Sequence, residues 1–433
     1  MTDIRLDRRA MLAGLATAAV AVPALAQATR TLPPLPTGGA LATDAGYWSA
    51  VRNLYSVSPD IINLENGYWG IMAEPVRRTF IAATDMVNRE NSVYARTSFG
   101  KDTEAARIKL AAAVGADPAE IAFTRGATEA LQLLISNYNR LKPGDQVLYA
   151  DLDYDSMQYA MAWLKDRRGV EAVKFAIPEP ATRAAVLATY EKILADNPRA
   201  RLLLLTHVSH RTGLVIPVAE ISAMAKARGV DVIVDAAHSW GQIDFKVGDL
   251  GVDFVGFNLH KWIGAPLGLG FLWIRKDRIA DIDRAFGDED WPAADIRARV
   301  HTGTFNFATL LSLPAALDLH AEIGPAAKAA RLRHLRDRWV SQARGFRDLE
   351  ILTPDEPGMA AGITSFRLAG KTSAADNTAI VTTLRERFGL FTVRRGGVAK
   401  GQCIRVSPAL FTTEQDVDRL VEALAVITGT KAG

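Results

Sequence analysis

Three short segments of the chain bring together residue types that do chemistry on amines. In Phe254-Val-Gly-Phe-Asn258-Leu-His260-Lys261, an apolar run ends in Asn258, His260 and Lys261, and glycines follow at 264, 268 and 270. A lysine caught between an apolar strand and a tight glycine turn is partly desolvated. Burial beside another cation lowers the pKa of its amine toward the range of a nucleophile or base. Taken alone, the pattern fits at least as well a lysine stem lying on apolar surface with its head in water. In Val232-Ile-Val-Asp235-Ala-Ala-His238, a carboxylate closes a buried run 26 residues before Lys261. A buried aspartate must be paired or hydrogen-bonded; here it either caps the next helix or holds a protonated ring nitrogen. In Phe123-Thr124-Arg125-Gly126-Ala127-Thr128, a strand ends, glycine turns the chain, and a helix opens on a hydroxyl residue. The free N–H groups of such a turn form an anion site, although strand–glycine–helix turns are common.

These residues need a scaffold that delivers polar groups at the ends of apolar runs. Between about 100 and 280 the sequence supplies one. Apolar runs at Ile121–Thr124, Gln146–Ala150, Val173–Ile177, Leu202–Val208, Val232–Asp235, Phe254–Phe257 and Gly270–Ile274 read as seven strands. Helix-like stretches at Ala127–Tyr138, Ser156–Arg167, Thr182–Asn197 and Val218–Ala227 separate several of them. Continuous apolar strands alternating with helices predict an α/β fold with a mostly parallel sheet covered on both faces. Ligands of such sheets bind at the carboxyl ends of the strands, where the polar residues above fall. After about 310 the texture changes to long helices (Leu310–Glu322, Ala326–Phe346), short alternating segments and a last helix Thr413–Ile427, as in a smaller α+β domain.

Composition narrows the function classes. The chain has 433 residues, 49% hydrophobic and 23% charged, which suits two or three domains and excludes a mostly disordered chain. A single cysteine excludes a disulfide framework and a multi-cysteine zinc site. A net charge of +3 with no basic tail argues against nucleic acid as a partner. Five of the seven histidines lie between 207 and 301, but without carboxylate or cysteine companions at ligand spacing they do not read as a metal site. Gly370-Lys371-Thr372 is no phosphate loop, because Ser365 stands where its first glycine is required. At the N-terminus, Arg8-Arg9 precedes a run of small apolar residues that ends in Ala24-Leu25-Ala26, a small-x-small cleavage pattern. This resembles a twin-arginine (Tat) export signal over residues 1–26, with Asp7 where Ser or Thr is usual. The expectation is a periplasmic protein, the Tat translocase as transient partner, and an N-terminal linker or arm over 27–60 whose Pro-, Thr- and Gly-rich stretch Thr29–Gly39 is loose.

Over residues 60–430 the chain resembles the class V, cysteine-desulfurase-like, aminotransferases of the fold-type I pyridoxal 5′-phosphate (PLP) enzymes. The motif order carries the resemblance: phosphate turn, aromatic, Asp235, Lys261, then arginine. The resemblance implies a large PLP-binding domain (61–310) with a seven-stranded, mostly parallel sheet, and a small C-terminal α+β domain (311–433). It implies that Lys261 holds the cofactor covalently and that Asp235 pairs with the pyridine nitrogen. Thr128 and the Ala127 N–H would grip the phosphate, helped by His260 and Asn258. His238 and His210 would lie near the phenolic oxygen, and Tyr154 would stack on the ring. Thr304, in His301-Thr-Gly-Thr304, would reach the phosphate site of a second subunit, which implies a homodimer. Arg394 would clamp the substrate carboxylate, a task suited to a planar fork.

Departures limit what the family implies about the reaction. Desulfurases carry a mobile nucleophilic cysteine, whereas Cys403 sits two before Arg405 on a predicted strand and reads as a buried, inert thiol. Asp-Ala-Ala-His238 and Asn-Leu-His-Lys261 look most like the isopenicillin N epimerase-like branch. The expected function is a PLP-dependent enzyme that removes the proton from the amino-bearing carbon of an amino acid or peptide. The fate of that proton (epimerisation, transamination or elimination) stays open. Alternatives are an exported tailoring enzyme acting on a glutamate group of a pyoverdine-type siderophore, and a non-catalytic binder on a PLP fold.

Overall fold

A computed structural model describes residues 32–430; the expected export signal and the first residues of the linker lie outside them. The chain enters through helix α1 (Ala45–Arg52), a short strand β1 (Ile62–Asn63), and two long helices, α2 (Glu74–Thr97) and α3 (Phe99–Val114). Helix α2 bends at Asn91, whose φ of 52° leaves the helical region. Helix α3 stops at Gly115, which takes the left-handed conformation (φ 77°) that a β-carbon disfavours.

The central sheet follows. Its strands are β2 (Ile121–Thr124), β3 (Gln146–Ala150), β4 (Glu171–Phe175), β5 (Ala200–Thr206), β6 (Asp231–Asp235), β7 (Phe254–Asn258) and β8 (Gly270–Ile274), in the spatial order β2-β8-β7-β6-β5-β3-β4. All the pairings are parallel except those of β8, which runs against both β2 and β7. Helices α4 (Ala127–Asn137), α5 (Asp155–Arg168), α6 (Arg183–Asp196) and α7 (Val218–Lys226) alternate with the strands. Two apolar clusters fill the two faces: one contains Leu203, Leu205, Val234, Phe257 and Phe271, the other Leu202, Leu204, Ile233, Phe254 and Leu272. Successive residues of β5 alternate between these clusters, as the period of two requires. This explains why the inner strands are continuously apolar. The expected seven-stranded α/β architecture is the one observed.

The C-terminal part comprises helices α8 (Phe307–Leu311), α9 (Leu313–Ile323), α10 (Pro325–Ala343), α11 (Ala374–Phe388) and α12 (Glu414–Thr428) with strands β9 (Leu349–Ile351), β10 (Thr364–Leu368), β11 (Leu390–Phe391), β12 (Val393–Arg395) and β13 (Cys403–Val406). An antiparallel sheet of order β12-β13-β10-β9 packs through Phe366, Ile404 and Val406 onto Trp339, Leu420 and Leu424 of α10 and α12. Strand β1 pairs with β11 in parallel, which ties the N-terminal segment to this region.

Within the expected N-terminal arm, helix α1 docks on the rest of the chain. Asp44 caps α1 by accepting from the Tyr47 N–H (2.7 Å). Tyr47, Trp48 and Val51 are buried in one cluster with Trp262, Leu332 and Leu410. The Tyr47 hydroxyl donates to the Ile323 carbonyl at 3.0 Å. Among the described residues no helix is long and apolar enough to cross a membrane.

Candidate active site

The carboxyl ends of the parallel strands open into a pocket of about 630 Å³. Much of its lining continues the strands: Gly126–Thr128 after β2, Tyr154 after β3, Thr206 ending β5, Asp235 ending β6, and Asn258, His260 and Lys261 at the end of β7. Register explains the convergence. Gly270 of β8 stands opposite both Thr124 and Asn258, so the antiparallel strand seats the Gly126 turn beside the lysine segment. The approach is close: a β-carbon at Gly270 would lie 2.6 Å from the Gly126 Cα and 2.5 Å from the Phe257 carbonyl oxygen.

Lys261 stands where the charged groups of the pocket converge. Desolvation lowers its amine pKa to about 7; Asp235 and Glu65 pull the other way, while Arg405 and Arg395 lower it further. Its Nζ lies 2.9 Å from His238 Nε2, and the Trp262 indole donates to His238 Nδ1 at 3.4 Å. Burial pushes the His238 pKa well below its usual value, helped by the lysine charge, so the ring is neutral. Asp235 is 4% exposed, and one of its oxygens accepts from the Ala237 N–H at 2.9 Å. Burial raises its pKa, partly offset by that hydrogen bond and by Lys261. A cation placed beside this carboxylate is therefore strongly favoured.

The remaining expected residues divide. Tyr154 stands at the rim with its ring edge-on to His210, centroids 5.1 Å apart. His210 is buried, its pKa lowered first by desolvation and then by Arg211, Arg395, Arg405 and Lys261, and its Nδ1 has no partner. Thr128 lines the pocket, exposed at its mouth. The Ala127 N–H, expected to be free for an anion, donates instead to Asn258 Oδ1 at 2.7 Å. His260 Nδ1 bonds the Leu269 carbonyl at 3.0 Å, and burial pushes its pKa down to about 4.

Arg394 is not brought to the pocket. It is exposed on β12 and bonds Gln402. Neighbouring residues of a strand point to opposite faces, and it is Arg395 that lines the cavity together with Arg405 of β13. Sequence reasoning named Arg405 only as a marker for the cysteine and so missed the better-placed guanidinium. Arg405 is 1% exposed, paired with Glu65, and donates to the His210 carbonyl at 2.7 Å. Its signal was an arginine alternating with Ile404 and Val406 on an inner strand, where only a paired or ligand-bound charge is tolerated. Thr304 is exposed and lies outside the pocket lining of its own chain. Cys403 is fully buried and desolvation raises its thiol pKa to about 11, which leaves almost no thiolate.

The chain matches known proteins over most of its length. A family model described as aminotransferase class V covers residues 80–420. Isopenicillin N epimerase of Streptomyces clavuligerus is 29% identical over 402 residues, 88% of this chain and 98% of the epimerase. A cysteine desulfurase of Yersinia pestis (strain Pestoides F) is 30% identical over 344 residues, 74% of this chain and 81% of the desulfurase. Among solved structures, the cysteine desulfurase CsdA of Escherichia coli superposes with a TM-score of 0.75 at 22% identity, covering 89% of this chain and 99% of CsdA. A C-DES variant with glycine covalently linked to its PLP cofactor superposes with a TM-score of 0.73 at 23% identity, covering 85% and 97%.

Proposed function

Because the chain belongs to the aminotransferase class V family of PLP-dependent enzymes, we propose that it acts at the amino-bearing carbon of an amino acid or amino-bearing peptide, with Lys261 moving the Cα proton. The pocket fits PLP on its own terms. Gly126 leaves a cradle that a side chain would fill, since a β-carbon there would lie 3.1 Å from Asn258 Oδ1 and 3.3 Å from His260 Cε1. His210 Nδ1 is a buried polar atom awaiting a partner. Thr128, His260 and Asp235 line the same pocket; on this reading the first two would hold the phosphate and Asp235 a protonated ring nitrogen. When bound, the cofactor supplies the electron sink that acidifies the substrate Cα–H.

The observation that carries the reading is the Lys261 amine, desolvated to a pKa of about 7 at the floor of the pocket that Asp235 also lines. An amine of that pKa is half unprotonated at neutral pH and is matched to take and return a proton. Arg405, held by Glu65 and the His210 carbonyl, lines the pocket and would supply its remaining N–H groups to a substrate carboxylate. The buried Cys403 supports epimerase or aminotransferase chemistry over desulfuration. The test is exchange of the Cα hydrogen in deuterated water across free amino acids and amino-bearing peptides. Exchange should occur with at least one of them and fall about 10²–10⁴-fold in Lys261→Ala. Exchange with none of them, or full exchange in the variant, contradicts the proposal.

We further propose export to the periplasm by the Tat route, resting on Arg8-Arg9 and the run that follows. Changing both arginines to lysine should leave the precursor in the cytoplasm on fractionation, and unchanged periplasmic yield contradicts that route.

A further inference from the structure

The contacts around Lys261 fix where a proton sits. The Trp262 indole N–H has no lone pair to offer and points at His238 Nδ1 (3.4 Å), so Nδ1 must be an acceptor. A neutral imidazole carries its one proton on the other nitrogen. That nitrogen, Nε2, faces Lys261 Nζ at 2.9 Å, so the contact is made by the unprotonated amine, which accepts through its lone pair. We propose that Trp262 is a positioning residue that locks His238 in the Nε2–H tautomer, making the ring a hydrogen-bond donor toward Lys261 and never the base beside it.

The indole is held for this task. Trp262 is 8% exposed and shares a cluster with Tyr47, Trp48 and Val51 of α1 and Leu332 of α10. Its carbonyl accepts from Nζ of the buried Lys328 at 2.8 Å. The opposite side of His238 is held too, since Gln242 Nε2 donates to the His238 carbonyl at 2.5 Å. Without the indole N–H, the ring proton is free to move to Nδ1. Nε2 would then present a lone pair to Nζ and stabilise the ammonium. The other charged or titratable groups facing this amine are Asp235, Glu65, Arg395, Arg405, His210 and His260, and they are the same in both cases.

The proposal rests on Lys261 being the reactive amine, and its test reads ionisation and tautomer in the apoenzyme rather than turnover. In wild-type protein, ring nitrogen NMR assigned with His238→Gln should show His238 neutral with the proton on Nε2; a proton on Nδ1 overturns the proposal. Trp262→Phe keeps the ring bulk and removes the N–H. Competitive acetylation of apoenzyme across pH, with peptide mapping, should place the Lys261 midpoint roughly one pH unit higher in Trp262→Phe, the usual size of one hydrogen bond. In a His238→Gln background the same substitution should shift nothing. A Trp262→Phe midpoint that superposes on the wild type overturns the assignment. Failure of Lys261 to carry PLP leaves these readouts intact and strikes the proposed function instead.

Discussion

One guanidinium and one amine carry the predictions at the residue scale. Arg405 is buried, aligned by Glu65, and directed into the cavity, whereas Arg394 faces solvent beside Gln402. A charged hydrogen bond to a carboxylate contributes about 1.5–3 kcal/mol. Arg405→Lys should therefore lower kcat/KM for a carboxylate-bearing substrate about tenfold to a hundredfold, and Arg394→Ala should leave it within about threefold, as steady-state kinetics will show. Lys261 makes a second prediction. Cofactor capture by apoenzyme needs the unprotonated amine, so its rate should rise as pH increases through about 7 and then level off. A midpoint near the ordinary lysine value of 10.5 would mean that the amine is solvated. Lys261 and Asp235 stood out in the sequence because each follows an apolar run, but their pattern alone also fitted a surface lysine and a helix cap; the motif order of the family resemblance singled them out, and His238 with them. Arg405 was not, because only the fold reveals which of several arginines turns inward.

Elements place these residues through register. Strand β8 holds β2 and β7 apart by one strand and seats the Gly126 turn beside the lysine segment. Gly270→Ala forces a β-carbon onto that turn; it should cost about 1–3 kcal/mol in urea unfolding of the apoenzyme and weaken PLP retention. Gly248→Ala, where nothing lies within 4 Å, should stay within about 0.5 kcal/mol and keep PLP. The inner strands were plain in the sequence because both faces are buried, which makes them unbroken apolar runs. The edge strand β4 was read two residues late: its Glu171 and Lys174 are exposed, so the apolar signal runs on past the pairing into Ile177. Helix α1 was hidden for another reason. Its eight residues are too few for a periodic pattern to stand out, and the helix is held by docking Tyr47 and Trp48 rather than by propensity.

At the scale of the whole molecule, the pocket draws on both halves of the chain. Lys261 and Asp235 come from the central sheet, while Arg395 and Arg405 come from the small antiparallel sheet. A substrate held by both groups would bridge the two sheets. Thr304 is exposed, and we propose that it serves the phosphate site of a second copy in a homodimer, as the family resemblance implies. Sedimentation should show a dimer, and Thr304→Ala should weaken PLP binding without changing the fold; a fully loaded monomer contradicts shared sites. All of this turns on which lysine holds the cofactor. Borohydride reduction of the PLP-loaded protein followed by peptide mapping answers that directly. The account predicts a pyridoxyl group on Lys261 and none on Lys328, the other lysine whose amine is desolvated to about 7. A label on Lys328 or any lysine other than 261 would contradict both the site and the chemistry derived from it.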